Sequence, residues 1–486
     1  MVPTEDSGPS GDRCYLCEKI KVQRRLFPNA TATNDDVNDD GSCSDNDAHN
    51  LSTSSIKSGD KSHLFFKQNY PISRNITPSL FSSQSSNQNY RGLLNLAALI
   101  LFFSNFRLVM ENLLKYGILI NREVIASYFH IDLLMWIFCV PIFAYFMLVV
   151  ERLASRNKIS DFKALLCASF ILLLLFFLPI LVVFFKPPVP ASGIILLLTS
   201  IISWMKLYSY ALANRQFRLD VRKKQWIKEC IEGVDFNSAV HYPHNLTLGN
   251  ICYYFVSPTL CYQLNYPRTK KIRWAWVAVK FVQLIFLVCL IIFMLEQWYF
   301  PVIKNSYRFM KMAHWAILVE RILKLSIPSI YIWLSGFFTL FHLWLNIVAE
   351  ILRFGDREFY QDWWNATTMG YYWRTWNIPT HRWLFRHVYL PCRRLGLTRE
   401  GSSLVVFFIS AVIHEVLISV PLHTFKLYFF IGMLVQAPAT CMGEVFKGKL
   451  AGNLIFWISF CFLGQPIGVL LYYFDYASNV LAMKQV

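Results

Sequence analysis

Runs of roughly 20 apolar residues recur along the chain, each long enough to cross about 30 Å of hydrocarbon as an α-helix. Lipid offers the backbone no hydrogen-bond partners, so such runs must satisfy their own N–H and C=O groups, which a helix does. Candidate spans lie at about 93–114, 132–151, 164–185, 191–212, 274–300, 326–350, 403–420, 426–446 and 452–475. The expected fold class is therefore an all-α polytopic membrane protein with about nine transmembrane helices. With 55% hydrophobic and only 16% charged residues among 486, the chain is too apolar for a soluble multidomain protein.

Residues 1–90 are rich in Ser, Asn and Asp and hold little that builds a core; they read as a disordered cytosolic tail before a transmembrane domain at 91–480. The polar start lacks the charged-then-apolar pattern of a cleaved signal peptide. Loop charge orients the spans. Residues 213–273 carry Arg215, Arg218, Arg222, Lys223, Lys224 and Lys228, and residues 353–402 carry Arg353, Arg357, Arg374, Arg382 and Arg386. Placing both loops in the cytosol places the N-terminus there as well, with the cationic loop at 301–325 as an exception. The net charge of +17 then calls for no nucleic acid; it fits basic loops facing anionic headgroups or an anionic substrate. Residues 213–232 read either as an interfacial helix, with Phe217, Val221 and Trp226 among cations, or as a solvated basic linker.

The 12 cysteines are scattered, several inside apolar runs, as small core residues in a reducing setting. Cys14 and Cys17 form one CxxC pair without a second half, and a structural zinc needs four ligands, so no metal is expected. No internal repeat is visible, which weighs against a transporter.

His414 and Glu415 sit in the middle of the apolar run LVVFFISAVIHEVLISV (404–420), where an ionisable group costs about 2.5 kcal/mol or more on insertion scales. The pair opens like HExxH, but Ile418 fills the place of the second zinc ligand. GxxxxGK[ST] and GxSxG are both missing, so neither a nucleotide-phosphate loop nor a serine-nucleophile elbow is indicated. What remains is a histidine beside a carboxylate, with Ser410 one helical turn earlier on the same face. Neutral imidazole is a natural general base near pH 7 and suits removal of a proton from a hydroxyl that attacks an activated acyl group. A histidine bonded between helices is the bland alternative; Glu415 and the dense aromatic and amide segment 359–383 favour chemistry. Asn377, Gln436 and Gln465 each offer an amide donor for a carbonyl or its oxyanion, or an interhelical hydrogen bond. Gln465-Pro466 is expected to break its span. His342 and Glu350 read as helix-packing or helix-end residues.

FYQDWWN (359–365) matches the FYxDWWN signature of the membrane-bound O-acyltransferase family, in its branch of acyl-CoA:diacylglycerol and acyl-CoA:sterol acyltransferases. NIPTHRW (377–383) is similar to the NIPxH(K/R)W segment of the diacylglycerol branch, and GDREFY (355–360), SAVIHE (410–415), SVPL (419–422), GQPI (464–467) and the stretch 243–268 extend the resemblance over about 91–476.

The resemblance implies a nine-helix fold enclosing an intramembrane reaction chamber, with His414 as the catalytic histidine, Asn377 as a second polar residue at the reaction centre and Glu415 as an acidic neighbour that positions the acceptor or tunes the histidine. It implies that acyl-CoA is contacted by Trp373, Arg374, Thr375, Trp376, Asn377, Ile378, Pro379, Thr380, His381, Tyr389 and Ser410, with Gln436 and Gln465 near the thioester. The motif residues Phe359, Tyr360, Asp362, Trp363, Trp364 and Asn365 touch substrate or brace the loop, with bracing expected for most. Two positions depart from the pattern. Arg382 stands where lysine is common, and Gly401, Ser402 and Ser403 occupy a stretch where relatives can carry a cation, so a coenzyme A phosphate contact is weaker or comes from Arg399.

The implied activity is transfer of a fatty acyl group from acyl-CoA, a co-substrate rather than a cofactor, to the free hydroxyl of diacylglycerol. Triacylglycerol and coenzyme A are the products, and the implied location is the endoplasmic reticulum membrane. The alternatives are acylation of a sterol, a fatty alcohol or retinol, and, from another class, a lipid transporter or scaffold without turnover. Members of the family associate as homodimers or homotetramers.

Overall fold

The computed structural model describes residues 129–222, 240–310 and 315–483, with isolated helical positions between Gly92 and Ile100, and all of these fall in one compact unit. The expected tail, Cys14 and Cys17, and most of the expected span 93–114 lie outside the described residues.

In chain order the main helices are α1 (Ile131–Ser155), α2 (Asp161–Phe184), α3 (Pro190–Arg222), the short α4 (Leu248–Val256), α5 (Trp274–Tyr307), α6 (Ala316–Ile351), the short α7 (Met369–Thr375) and α8 (Ile378–Leu384), then α9 (Arg399–Leu422), α10 (Tyr428–Phe446) and α11 (Leu450–Asn479). Eight of these are long and apolar enough to cross a membrane, one for each expected span from 132 onward. The protein is a multi-pass, all-helical membrane protein.

Local chemistry sets the ends. The hydroxyls of Ser160 and Thr398 accept from the backbone N–H groups of Lys163 (3.3 Å) and Gly401 (3.0 Å), capping α2 and α9, and each helix carries an acid in its first turn. The Thr398 cap starts α9 at Arg399, a turn before hydropathy alone would begin it. Along α2, Phe162, Leu166, Phe170, Leu173, Phe177 and Leu181 are all exposed, a stripe that only a lipid solvent makes reasonable. α3 and α9 approach so closely that a Cβ on Gly193 would lie 2.9 Å from that of Pro421.

Three expectations about connections change. Of the stretch 213–232, residues 213–222 are neither an interfacial helix nor a solvated linker; they continue α3 into the core, with Phe217 and Arg218 buried, and 223–232 lie outside the described residues. Arg218 can enter because Glu151 pairs with it and Asp161 lies 2.8 Å away. The cationic loop expected at 301–325 shrinks, since α5 runs to Tyr307 and α6 starts at Ala316. Gln465-Pro466 does not break its span. α11 passes through a π-helical turn at Trp457–Gly464, and the Phe462 carbonyl, which a proline four residues on cannot reach with an N–H, meets the Ser326 hydroxyl of α6.

Among the described residues, both long connections fold back into the core. Tyr254 and Tyr262 are fully buried, and the Lys206 ammonium of α3 donates to the carbonyls of Tyr254 (3.1 Å), Phe255 (2.8 Å) and Ser257 (2.6 Å), closing the C-terminal end of α4. The segment after α6 also turns inward, with Trp363, Trp364 and Trp383 each about 1% exposed. Glu350 and His342 behave as helix-end and packing residues: Glu350 meets Arg273 (2.9 Å) and Arg357 (2.6 Å), and His342 Nδ1 lies 2.8 Å from the Tyr360 hydroxyl.

Candidate active site

The FYxDWWN segment is locked from several sides. Phe359, Tyr360, Trp363 and Trp364 are buried, and Trp363 meets Trp333 edge-on with ring centroids 5.0 Å apart. Asp362 accepts from the Tyr371 hydroxyl and from Asn365 Nδ2 (3.0 Å). Asn453 Nδ2 of α11 donates to the carbonyls of Trp364 and Ala366, both at 2.9 Å. Beside it, a Cβ on Gly452 would lie 2.4 Å from the Thr367 carbonyl oxygen, so only glycine fits.

This frame carries α7 and α8. Thr368 caps α7 by accepting from Tyr371 N (3.2 Å), and Asn377 Oδ1 caps α8 by accepting from Thr380 N (3.2 Å). Capping uses the amide oxygen and leaves Asn377 Nδ2 as a donor that bonds no described residue. Thr375 is buried and its carbonyl accepts from Gln361 N (2.8 Å); Ile378 N donates to the Phe359 carbonyl (3.0 Å). Trp376 stacks on Trp333 at 5.7 Å, and Tyr389 stacks on Phe385 at 5.4 Å. Pro379 lines a small cavity with Cys261, Gln263, Asp356, Glu358 and Arg382. Arg382 bridges Asp356 (2.9 Å) and Glu358 (2.6 Å) through separate guanidinium nitrogens, a fork that a lysine ammonium does not reproduce. Arg374 is exposed, and burial together with the Arg374 and Arg382 cations pushes the half-buried His381 down to about 4.

On α9, His414 Nδ1 lies 2.7 Å from the Ser410 carbonyl oxygen, with the Ser410 hydroxyl at 3.4 Å. A carbonyl can only accept, so Nδ1 carries the hydrogen in the neutral ring and Nε2 keeps the basic lone pair. Nε2 bonds no described residue. Phe407, two turns earlier on the same face, meets Trp373 edge-on at 6.4 Å, and Trp373 Nε1 donates to Gln436 Oε1 of α10 at 2.9 Å. The His414 face is thus the face of α9 that looks toward the Trp373–Gln436 pair. The exposed Leu404 and Phe408 lie about 80–120° around the helix from it.

Glu415 points elsewhere. Its carboxylate accepts from the backbone N–H groups of Leu427 and Phe430, both at 3.1 Å, and from the Tyr472 hydroxyl of α11. The arrangement therefore brings Trp373, Gln436, Ser410 and His414 to one side, sets Asn377 at the start of α8, and ties Glu415 to α10 and α11. No hydrogen bond links His414 to Asn377, Glu415 or Gln465, and Gln465, half-buried where α11 resumes its α-helical course after the π-helical turn, bonds no described residue. Tyr472, Asn453, Phe407 and Ser326 were not legible as site residues. Each is an ordinary helix residue in sequence and gains a role only through a partner at least 57 residues away or on another helix.

The profile of MBOAT, the membrane-bound O-acyltransferase family, matches residues 118–474. The chain is 41% identical over 418 residues to diacylglycerol O-acyltransferase 1C of Glycine max, covering 84% of this chain and 80% of that protein. Diacylglycerol O-acyltransferase 1 of Corylus americana is 41% identical over 420 residues, covering 85% and 77%. The protein of that name from Dictyostelium discoideum is 39% identical over 407 residues, covering 82% and 64%. By sequence over most of its length, and consistent with the helical fold of the described residues, the chain belongs to the membrane-bound O-acyltransferase family.

Proposed function

We propose that this protein transfers a fatty acyl group from acyl-CoA to the free hydroxyl of diacylglycerol, with His414 Nε2 as general base. The acceptor rests on the relatives, which are named for diacylglycerol. The observation that carries the chemistry is the contact of His414 Nδ1 with the Ser410 carbonyl, which leaves the other ring nitrogen unprotonated and unpartnered among the described residues. Nε2 takes the hydroxyl proton as the oxygen attacks the thioester carbonyl. The C–S bond then breaks and the proton passes to the departing thiolate, giving triacylglycerol and coenzyme A with no acyl-enzyme. Asn377 Nδ2 donates to the developing oxyanion, the part an amide plays in acyl transfer. No metal or resident cofactor enters the scheme.

Trp373–His381 and Tyr389 contact acyl-CoA, and Gln436 and Gln465 flank the thioester. The FYxDWWN segment braces α7 and α8, and its burial supports that role. The protein works in the endoplasmic reticulum membrane as a homodimer or homotetramer, with the N-terminus and the basic connections in the cytosol. Purified protein given labelled oleoyl-CoA with competing diacylglycerol, cholesterol and retinol tests the acceptor. Triacylglycerol as the main labelled product supports the reading. Sterol or retinyl ester as the main product overturns the acceptor, and binding without coenzyme A release overturns the enzyme.

A further inference from the structure

The imidazole of His414 is tied to its own helix through the Ser410 carbonyl, so it moves rigidly with α9. Whatever fixes the rotation of α9 fixes the direction of Nε2. Rotating α9 by about 10° would displace a ring roughly 5–6 Å from the axis by about 1 Å. A misplacement of that size can lower a rate by about 100-fold.

Met433 is the single fully buried residue of Tyr428–Met442, while α9 and α10 run alongside one another with Phe408 edge-on to Phe430 at 5.7 Å. Glu415 adds a polar tie to this packing. One carboxylate, adjacent to His414, takes two backbone N–H groups at the start of α10 and the Tyr472 hydroxyl of α11, so three helices meet at one side chain. A hydrogen bond to a charged group within the bundle is among the stronger ones available there.

We propose that Tyr472 is a positioning residue for the acyl transfer, acting through Glu415 to fix α9 against α10 and α11 and so to aim His414 Nε2. The proposal rests on the reading of His414 as the base. It makes Glu415 the anchor of the helix that carries the histidine rather than a group that touches substrate. A matched control is built into the fold. The Tyr428 hydroxyl donates to Asp475 (2.8 Å), the same chemistry between α10 and α11, without reaching α9.

Steady-state kinetics on the purified full-length protein, titrating oleoyl-CoA and diolein, separate these roles in Tyr472→Phe, Tyr428→Phe, Glu415→Gln, the Tyr472→Phe/Glu415→Gln double variant and His414→Ala. Tyr472→Phe should lower kcat about tenfold or more. Its KM for oleoyl-CoA should stay near wild type, because the α7–α8 contacts are untouched; its melting temperature should fall with the lost hydrogen bond, so kcat is read per folded molecule. The double variant should fall no more than about twofold below Glu415→Gln alone, since the two residues act as one unit. Tyr428→Phe should keep kcat within about twofold of wild type. Wild-type kcat in Tyr472→Phe, a loss that merely tracks the folded fraction, or additive losses in the double variant would each overturn the positioning role. Full activity in His414→Ala would overturn the base reading instead. An inactive His414→Ala beside a fully active Tyr472→Phe overturns only the role of Tyr472.

Discussion

His414 Nδ1 sits 2.7 Å from the Ser410 carbonyl oxygen, one helical turn back along α9. That contact fixes the neutral tautomer by elementary hydrogen-bond logic and decides which nitrogen is left to take a proton. Because donor and acceptor belong to one helix, the tautomer does not depend on how neighbouring helices pack.

The link from Trp373 to Gln436 connects the α7–α8 segment to α10. Replacing Trp373 with Phe removes the indole N–H and keeps an aromatic ring against Phe407. A neutral hydrogen bond contributes about 0.5–1.5 kcal/mol, so kcat/KM for acyl-CoA should drop by up to about tenfold. The Trp373→Phe/Gln436→Ala double variant should lose less than the sum of the two single losses, because both changes break one bond. Steady-state titration of oleoyl-CoA reads the effect.

Asn453 holds the carbonyls of Trp364 and Ala366. Asn453→Ala leaves both buried acceptors without that donor and should destabilise the protein by about 1–3 kcal/mol, seen as a lower thermal-unfolding midpoint. Activity per folded molecule should stay near wild type if the FYxDWWN segment braces the fold. A loss of activity at an unchanged midpoint would instead place the segment against substrate.

Two histidines outside the spans make stability depend on pH. Burial first, then the Arg374 and Arg382 cations, holds His381 at about 4, and burial with Arg386 holds His387 at about 3. Both folded-state values lie below the unfolded value of about 6.5, so the unfolded chain binds more protons as pH falls. Their contribution is complete above pH ~6.5 and is lost progressively on acidification toward about 4 and then about 3. Melting temperature should therefore decline from pH 7 to pH 5, and less steeply when both are replaced by Asn. Parallel curves for the two proteins would refute the assignment.

The spans were legible because hydrocarbon demands long unbroken apolar runs, and the candidate histidine because ionisable groups are rare inside them. Arg218 was misleading for a physical reason. In isolation it marks a solvated or interfacial segment, and the carboxylates that admit it to the core, Glu151 and Asp161, lie 67 and 57 residues back. Pro466 misled in a similar way, since a hydroxyl on another helix, Ser326, meets the carbonyl its missing N–H leaves. Glu415 read as a neighbour of His414 because the two are adjacent in sequence. Successive helical residues point about 100° apart, and its actual partners come from α10 and α11. Periodicity locates a helix; which polar groups complete one another is settled only by tertiary packing.

The central claim is that an unprotonated His414 Nε2 removes the acceptor's proton. The most direct measurement is coenzyme A release and triacylglycerol formation from labelled oleoyl-CoA and diacylglycerol, comparing wild type with His414→Ala after both are shown to be folded and to bind acyl-CoA. A positioned general base contributes about 10²–10⁴-fold, so the variant should retain no more than about 1% of the wild-type rate. Wild-type turnover by the folded variant would contradict the claim.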